Sequence, residues 1–398
     1  GFGGTNFHFV MEEAAANPGN RFRISTTGKA ILLAAENTAA LTTLAQQWQG
    51  KLANADQAGT AFNELVAQHG LRALAKNQAR IGFVAKNAGD AAQLLEAVIK
   101  QLQAQAGAEQ WSLPGGATFR REGIEVDGKL VALFSGQGSQ YVNMAREVTY
   151  NFPLMMQTIS AMDKLFVGAG QKPLSALMFP NPVFEKVDAE TQEKQLQLTQ
   201  HAQPSIGVIG IGFYKLLQQA GFKANFAAGH SFGELTALWA GGVLDDEDYL
   251  MLAKARGQAM AAKDDASFDA GTMIAVVGDV DKVGADIAGF ENVSIANYNS
   301  KDQVVVAGAT EQVNKAFDAL KQKGYKVVKL PVSAAFHTSL VEHAQKPFAD
   351  AIEKAKFNKP AIPVFANGTG QAHSGKPADI KKVMKNHILE SVRFKEEV

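Results

Sequence analysis

Along this chain, short continuous apolar runs alternate with longer stretches in which apolar residues recur every three or four positions. The first pattern predicts buried strands and the second predicts helices laid on them, so the chain reads as α/β. KAILLAAE at 29–36 is a strand, followed by helices at 38–52 and 61–74, a strand at 80–85 and a helix at 90–105. In that last helix Leu94, Val98 and Leu102 share one face, as docking on a sheet requires. Pro114, Gly115 and Gly116, with mixed charges around them, make 111–128 a connector. LVALFS at 130–135 is another buried strand, and it runs directly into the turn-forming loop GQGSQ at 136–140. Functional loops of α/β sheets sit at such strand ends. On 204–219, Ile206, Ile209, Phe213, Leu216 and Leu217 form a helical stripe, with Pro204 suited to the first turn. A short strand of small residues follows at 225–229.

Beyond Gly271 the order becomes strand 273–277, helix 280–287, strands 293–297 and 303–307, helix 312–323 and strand 325–332. This β-α-β-β-α-β order is the ferredoxin-like signature. It predicts a small subdomain at about 272–332 inserted in a larger α/β one spanning 129–398. No internal repeat, heptad or low-complexity tract interrupts the pattern.

A length of 398 residues suits two or three domains. Lys and Arg (39) balance Asp and Glu (39), so no global field favours nucleic acid or an anionic membrane, and any charged substrate must be met locally. The absence of cysteine removes disulfides, thiolate nucleophiles and Cys-based metal sites, and fits a reducing cytoplasm. Covalent chemistry then falls to Ser, Lys or Asp, with no metal called for. The longest apolar stretch, 205–214, is far short of a membrane span, and no signal-peptide pattern opens the chain, so a soluble protein that is not processed by signal peptidase is expected.

The strongest chemical signal is GHSFGE at 229–234, a G-x-S-x-G elbow between a strand and a helix at 234–241. In that setting the glycines permit a strained turn that lifts the Ser231 Oγ above the sheet, and the helix N-terminus stabilises developing negative charge. A serine nucleophile needs a base. Of the eight histidines, His337 fits best, because it lies just past the last strand of the inserted subdomain, 106 residues after Ser231. His201, His343 and His387 lie in helical or polar surroundings expected at the surface, and His8 and His69 belong to other segments.

GQGSQ (136–140), GHSFGE (229–234), an arginine 25 residues after the serine (Arg256) and AAFHTSL (334–340) together resemble the acyltransferase domains of polyketide and fatty acid synthases. The likeness runs from about 130 to 398, with four motifs in the family's order. It implies an α/β-hydrolase-like large subdomain carrying the inserted ferredoxin-like one. The opening GFGGTNFHFVMEE, within 1–19, resembles the C-terminal end of a ketosynthase, and 20–128 resembles the small α/β linker domain joining ketosynthase to acyltransferase, most like that of polyunsaturated fatty acid synthases. The chain thus resembles a piece of a type I megasynthase.

The resemblance implies a malonyl-CoA:acyl-carrier-protein transacylase with no bound cofactor and coenzyme A thioester as substrate. Ser231 would attack the thioester carbonyl while His337 takes its proton, and the backbone amides of Gln137 and Phe232 would form the oxyanion hole. Arg256 would grip the free malonyl carboxylate, with His230 and Gln203 lining that pocket. Phe336, where the family has Phe for malonyl and Ser for methylmalonyl, implies a malonyl extender. Partners would be malonyl-CoA, a carrier protein with its phosphopantetheine arm, and an adjacent ketosynthase, with neither nucleic acid nor membrane. Because such synthases dimerise through the ketosynthase, a monomer is expected. No acidic third member of the triad is assignable; in the family a backbone carbonyl near the segment matching 391–394 orients the histidine. The family also continues through another strand and helix after the position of Val398. Two other readings stay open: a serine hydrolase or thioesterase of α/β-hydrolase type, and a non-catalytic docking fragment. Arg256 and the missing triad acid speak against the first, and the intact Ser231, His337 and Arg256 against the second.

Overall fold

The computed structural model describes residues 28–70, 73–124, 128–261, 268–332 and 334–398. The ketosynthase-like opening, 1–19, lies outside the described residues. The chain divides into two units, ending and beginning at Gly128 and Lys129.

The first unit runs β1 (Lys29–Ala35), α1 (Thr38–Ala53), α2 (Ala58–His69), β2 (Ala79–Ala85), α3 (Ala88–Ala104), β3 (Gln110–Ser112) and β4 (Thr118–Arg120). Its sheet is antiparallel in the order β1-β2-β4-β3. Alternate residues Ile31, Leu33, Ile81 and Phe83 point into a core shared with α1 and α3. Asn37 and Asn87 cap those helices, each side chain accepting a backbone N–H of the first turn. On α3 the buried face is Ala91, Leu95, Val98 and Leu102, one residue round from the stripe through Leu94. Residues 110–120 are not a bare connector: they form the β3–β4 hairpin, in which Trp111 pairs with Phe119 and their rings stack at 5.2 Å.

The second unit begins with β5 (Val131–Phe134), followed by α4 (Arg146–Asn151), α5 (Pro153–Gly168), α6 (Ser175–Met178), α7 (Lys186–Gln197) and α8 (Thr199–Gln219). It continues with β6 (Phe226–Gly229), α9 (Phe232–Ala240) and α10 (Asp246–Ala259). Strands β5 and β6 are parallel, with Phe134 opposite Gly229, so the loops that leave them start side by side. A parallel bridge from Ala227 to Val364 extends this sheet. Helix α8 starts five residues earlier than its Pro204 suggests, placing the proline inside the helix. The helix is buried nearly all round from Ala202 to Gly212, whereas Phe213 and Leu217 reach the surface.

Next come β7 (Thr272–Val277), α11 (Val280–Ile287), β8 (Val293–Tyr298), β9 (Gln303–Gly308), α12 (Thr310–Gln322) and β10 (Lys326–Lys329). Their sheet is wholly antiparallel in the order β10-β7-β9-β8, the 4-1-3-2 arrangement of a ferredoxin-like fold. Ile274, Val276, Val304 and Val306 on one face pack with Val283, Val313 and Leu320 of the two helices. The chain then returns to the large subdomain through a 3₁₀ segment (Ser339–Ala344), α13 (Gln345–Lys354), the hairpin β11 (Phe365–Ala366) and β12 (Gln371–Ala372), α14 (Pro377–Asn386) and α15 (Phe394–Glu397). A parallel bridge from Asn297 to Val392 ties this last stretch to β8. The unit is an open-sheet α/β body of α/β-hydrolase-like kind with a ferredoxin-like insertion. Among the described residues no helix is long and apolar enough to cross a membrane.

Candidate active site

Strand β6 ends at Gly229 and α9 starts at Phe232, so the turn between them has two residues, His230 and Ser231. Ser231 takes φ +51° and ψ −113°, a left-handed-side conformation that a non-glycine residue adopts at a cost of about 1–3 kcal/mol. The turn is tight enough that a Cβ on Gly229 would stand 2.1 Å from the Gly233 carbonyl. The loop after β5 presses against it as well: a Cβ on Gly136 would lie 2.4 Å from the His230 oxygen, and the His230 N–H donates to the Phe134 carbonyl at 3.0 Å. Glycine at both places is what lets the Gln137 loop and the serine turn share one end of the sheet.

Ser231 Oγ lies 2.7 Å from His337 Nε2. The other ring nitrogen, Nδ1, lies 2.8 Å from the backbone carbonyl of Glu390, which can only accept. His337 therefore carries its proton on Nδ1 and turns the Nε2 lone pair to the serine hydroxyl, the tautomer a general base needs. The orienting group is a main-chain oxygen, one residue before the 391–394 segment. His337 is buried and also has positive φ, +60°. Burial above all, with the Arg256 cation nearby, holds its pKa well below the ordinary histidine value, so it is neutral at pH 7.

A cleft of about 460 Å³ opens on Ser231 and His337, with Gln137 and Phe336 on its wall and Asn299 and Val305 contributed by the ferredoxin-like subdomain. His230 bridges the two subdomains by donating from Nε2 to Asn299 Oδ1 at 2.8 Å, and burial lowers its pKa. Behind the wall runs a chain of polar side chains. Gln203 donates to Gln137 Oε1 at 3.2 Å, and its own Oε1 accepts from Arg256 Nη1 at 2.9 Å. Arg256, which as an isolated helical arginine would belong at the surface, is 0% exposed. Burial pushes its pKa down to about 9 against the raising influence of Glu234, and it remains a cation at neutral pH.

The structure brings Ser231 and His337 within hydrogen-bond distance, and joins Gln137, Gln203 and Arg256 as a second connected set. Phe232 opens α9 immediately after the serine, which puts its amide at a helix N-terminus. Sequence reasoning missed three residues. His387 is not at the surface: it is 2% exposed, its ring centroid is 5.9 Å from that of His337, and it touches both Arg256 and Glu234. Glu234 is fully buried and accepts from His373 at 2.7 Å. A charged residue inside the otherwise apolar α9 was the one available signal for this group.

The profile of the acyl transferase domain family matches residues 131–398. A polyunsaturated fatty acid synthase chain of Thraustochytrium is 32% identical over 412 residues, covering 99% of this chain but 14% of that protein. The chain therefore spans a small part of that relative's length. The malonyl CoA-acyl carrier protein transacylase of Bacillus subtilis is 30% identical, covering 68% of this chain and 82% of the relative. The crystal structure of an acyl carrier protein S-malonyltransferase from Vibrio cholerae superposes with a TM-score of 0.58 at 31% identity, over 68% of this chain and 84% of that one. With the serine elbow, its histidine and the ferredoxin-like insertion in place, the chain belongs to the acyl transferase domain family.

Proposed function

We propose that this chain moves a malonyl group from malonyl-CoA, through an ester on Ser231, to the phosphopantetheine thiol of an acyl carrier protein. The observation that carries the reading is the Glu390 carbonyl–His337–Ser231 alignment, with hydrogen bonds of 2.8 and 2.7 Å, beside a fully buried arginine. Neutral His337 accepts the Ser231 proton as Oγ bonds to the thioester carbonyl carbon. The carbonyl oxygen takes up the negative charge between the amides of Phe232 and Gln137. Collapse expels the coenzyme A sulfur, which receives the proton from His337. In the second half-reaction the carrier's thiol gives its proton to His337 and attacks the seryl ester, and Ser231 recovers its proton as it leaves.

Arg256 binds the free carboxylate of the malonyl group, with Gln203 and His230 shaping that end of the pocket and Phe336 limiting bulk at the α-carbon. Gln137 lines the cleft and is joined through Gln203 to Arg256, which connects the guanidinium to the cleft wall. The first unit, within 20–128, serves as the linker from a preceding ketosynthase, of which 1–19 is the end. The parent is a synthase of the polyketide or polyunsaturated fatty acid kind in the cytoplasm. Incubation with malonyl-CoA followed by mass spectrometry tests the reading: a malonyl adduct on Ser231 that is discharged by holo carrier protein supports it. Rapid release of free malonate without carrier would mark a hydrolase instead, and no adduct at all a docking fragment.

A further inference from the structure

The buried carboxylate of Glu234 is met by three donors. His373 Nε2 lies 2.7 Å from one oxygen, while the Asn367 backbone N–H and His387 Nε2 lie 2.7 and 3.1 Å from the other. His387 then reaches Arg256 with its second nitrogen: Nδ1 is 3.4 Å from Nη2. Of the remaining guanidinium groups, Nη1 donates to Gln203 at 2.9 Å and Nε makes no hydrogen bond. A carboxylate can only accept and a guanidinium can only donate, so an imidazole between them is matched to both in one form. That form is the neutral ring with its proton on Nε2 and its lone pair on Nδ1.

The spacing has a chemical consequence. Arginine and a carboxylate in direct contact form paired parallel hydrogen bonds, which would occupy the donors an incoming carboxylate needs. With one imidazole between them, Glu234 still lowers the cost of burying the Arg256 charge but does not take its donors. Arg256 is held on two sides, by Gln203 and by His387, with Nε and part of each terminal nitrogen left over.

We propose that His387 is a positioning residue: anchored on Glu234, it orients Arg256 and keeps the two charges apart, so that the guanidinium stays open to the free carboxylate of the acyl group. This rests on Arg256 being the carboxylate-binding residue. His387 reaches the reacting atoms only through Arg256, and its effect is therefore specific to acyl groups that carry a free carboxylate.

The test compares malonyl-CoA with acetyl-CoA as donors to Ser231 in wild type, Arg256→Ala, His387→Leu and His387→Gln. Arg256→Ala is the reference and lowers malonyl loading far more than acetyl loading. His387→Leu, which removes both polar atoms, is expected to lower the malonyl-to-acetyl ratio of kcat/KM by about tenfold, mainly through KM, the worth of one hydrogen bond to a charged group. His387→Gln, which keeps one donor and one acceptor, is expected to restore the ratio to within about threefold of wild type. If Arg256→Ala shifts the ratio and His387→Leu slows both donors equally, His387 is structural and the proposal is overturned. If Arg256→Ala leaves the ratio unchanged, the carboxylate-site reading fails and the proposal falls with it. Should His387→Leu not fold, wild type decides: ¹⁵N-histidine spectra at pH 7.5, with the His387 signal assigned from His387→Gln, are expected to show the neutral Nε2–H tautomer. An Nδ1–H or doubly protonated ring would overturn the proposal.

Discussion

Arg256→Ala is expected to separate recognition of the acyl carboxylate from the transfer chemistry, if Arg256 binds that carboxylate as proposed. The side chain is fully buried, hydrogen-bonded through Nη1 to Gln203 and charged at neutral pH despite the lowering of its pKa to about 9. In a dry site, a guanidinium paired with a carboxylate is worth about 2–4 kcal/mol relative to a truncated side chain. At 1.36 kcal/mol per factor of ten, kcat/KM for malonyl-CoA falls by about 30- to 900-fold. Acetyl-CoA presents no free carboxylate and should lose far less. The substitution also leaves Gln203 Oε1 and His387 Nδ1 without their donor, which costs about 1–3 kcal/mol each, offset in part because a cation no longer has to be buried. Thermal melting of the variant therefore accompanies the kinetics, so that rates refer to folded protein. The assay is stopped-flow or quenched loading of Ser231, with adduct mass read separately for each donor. Equal losses for malonyl and acetyl in a folded variant would refute the argument and make Arg256 a support of the fold.

Ser231→Ala should abolish the acyl adduct with little change in melting temperature, since it removes one oxygen from a turn and no core volume; a surviving adduct would move the nucleophile elsewhere. His337→Ala should slow both loading and discharge by several orders of magnitude, because one imidazole serves both half-reactions; slowing of only one, in single-turnover experiments, points to a second base. The lowered pKa of His337 sets the sign of the pH response: the neutral base persists below pH 6.5, so the acid limb of loading kcat/KM should lie under that value. The same shift makes the group's contribution to stability complete above pH 6.5 and progressively lost below it, as the unfolded chain takes up the proton first; an acid limb at or above 6.5 contradicts this. Phe336, 7% exposed and adjacent to His337 on the cleft wall, should hold malonyl at least about tenfold ahead of methylmalonyl, and Phe336→Ser should narrow the ratio, read by competition between the two coenzyme A esters.

How much of this was legible in the sequence depends on how local each feature is. The ferredoxin-like insertion could be read because each of its strands and helices has one buried face, and periodicity reports that directly. Helix α8 could not be read in the same way. It is surrounded, so Val208 and Ile211 are as buried as Ile206 and Ile209, and a one-face stripe drawn through Phe213 and Leu217 ran out to solvent. The β3–β4 hairpin escaped because three-residue strands next to Pro114 and Gly115 look like loop; only the cross-strand partnership of Trp111 and Phe119 makes them strands.

The site divides along the same line. Ser231 is visible because its turn is written in neighbouring glycines that the close approach of backbone demands. His337 has the same unusual positive φ with no glycine to announce it, since the strain there is carried by tertiary contacts: Thr338 Oγ1 donates to the Ala335 carbonyl at 2.7 Å, and the ring is tied to Glu390, 53 residues away. Arg256, His373 and His387 are each ordinary where they stand in the chain, and only burial makes them a set with Glu234. Once a carboxylate and a guanidinium share a dry interior, every donor and acceptor around them must be matched. That requirement, which no local pattern encodes, places a histidine expected at the surface between Glu234 and Arg256 in the interior.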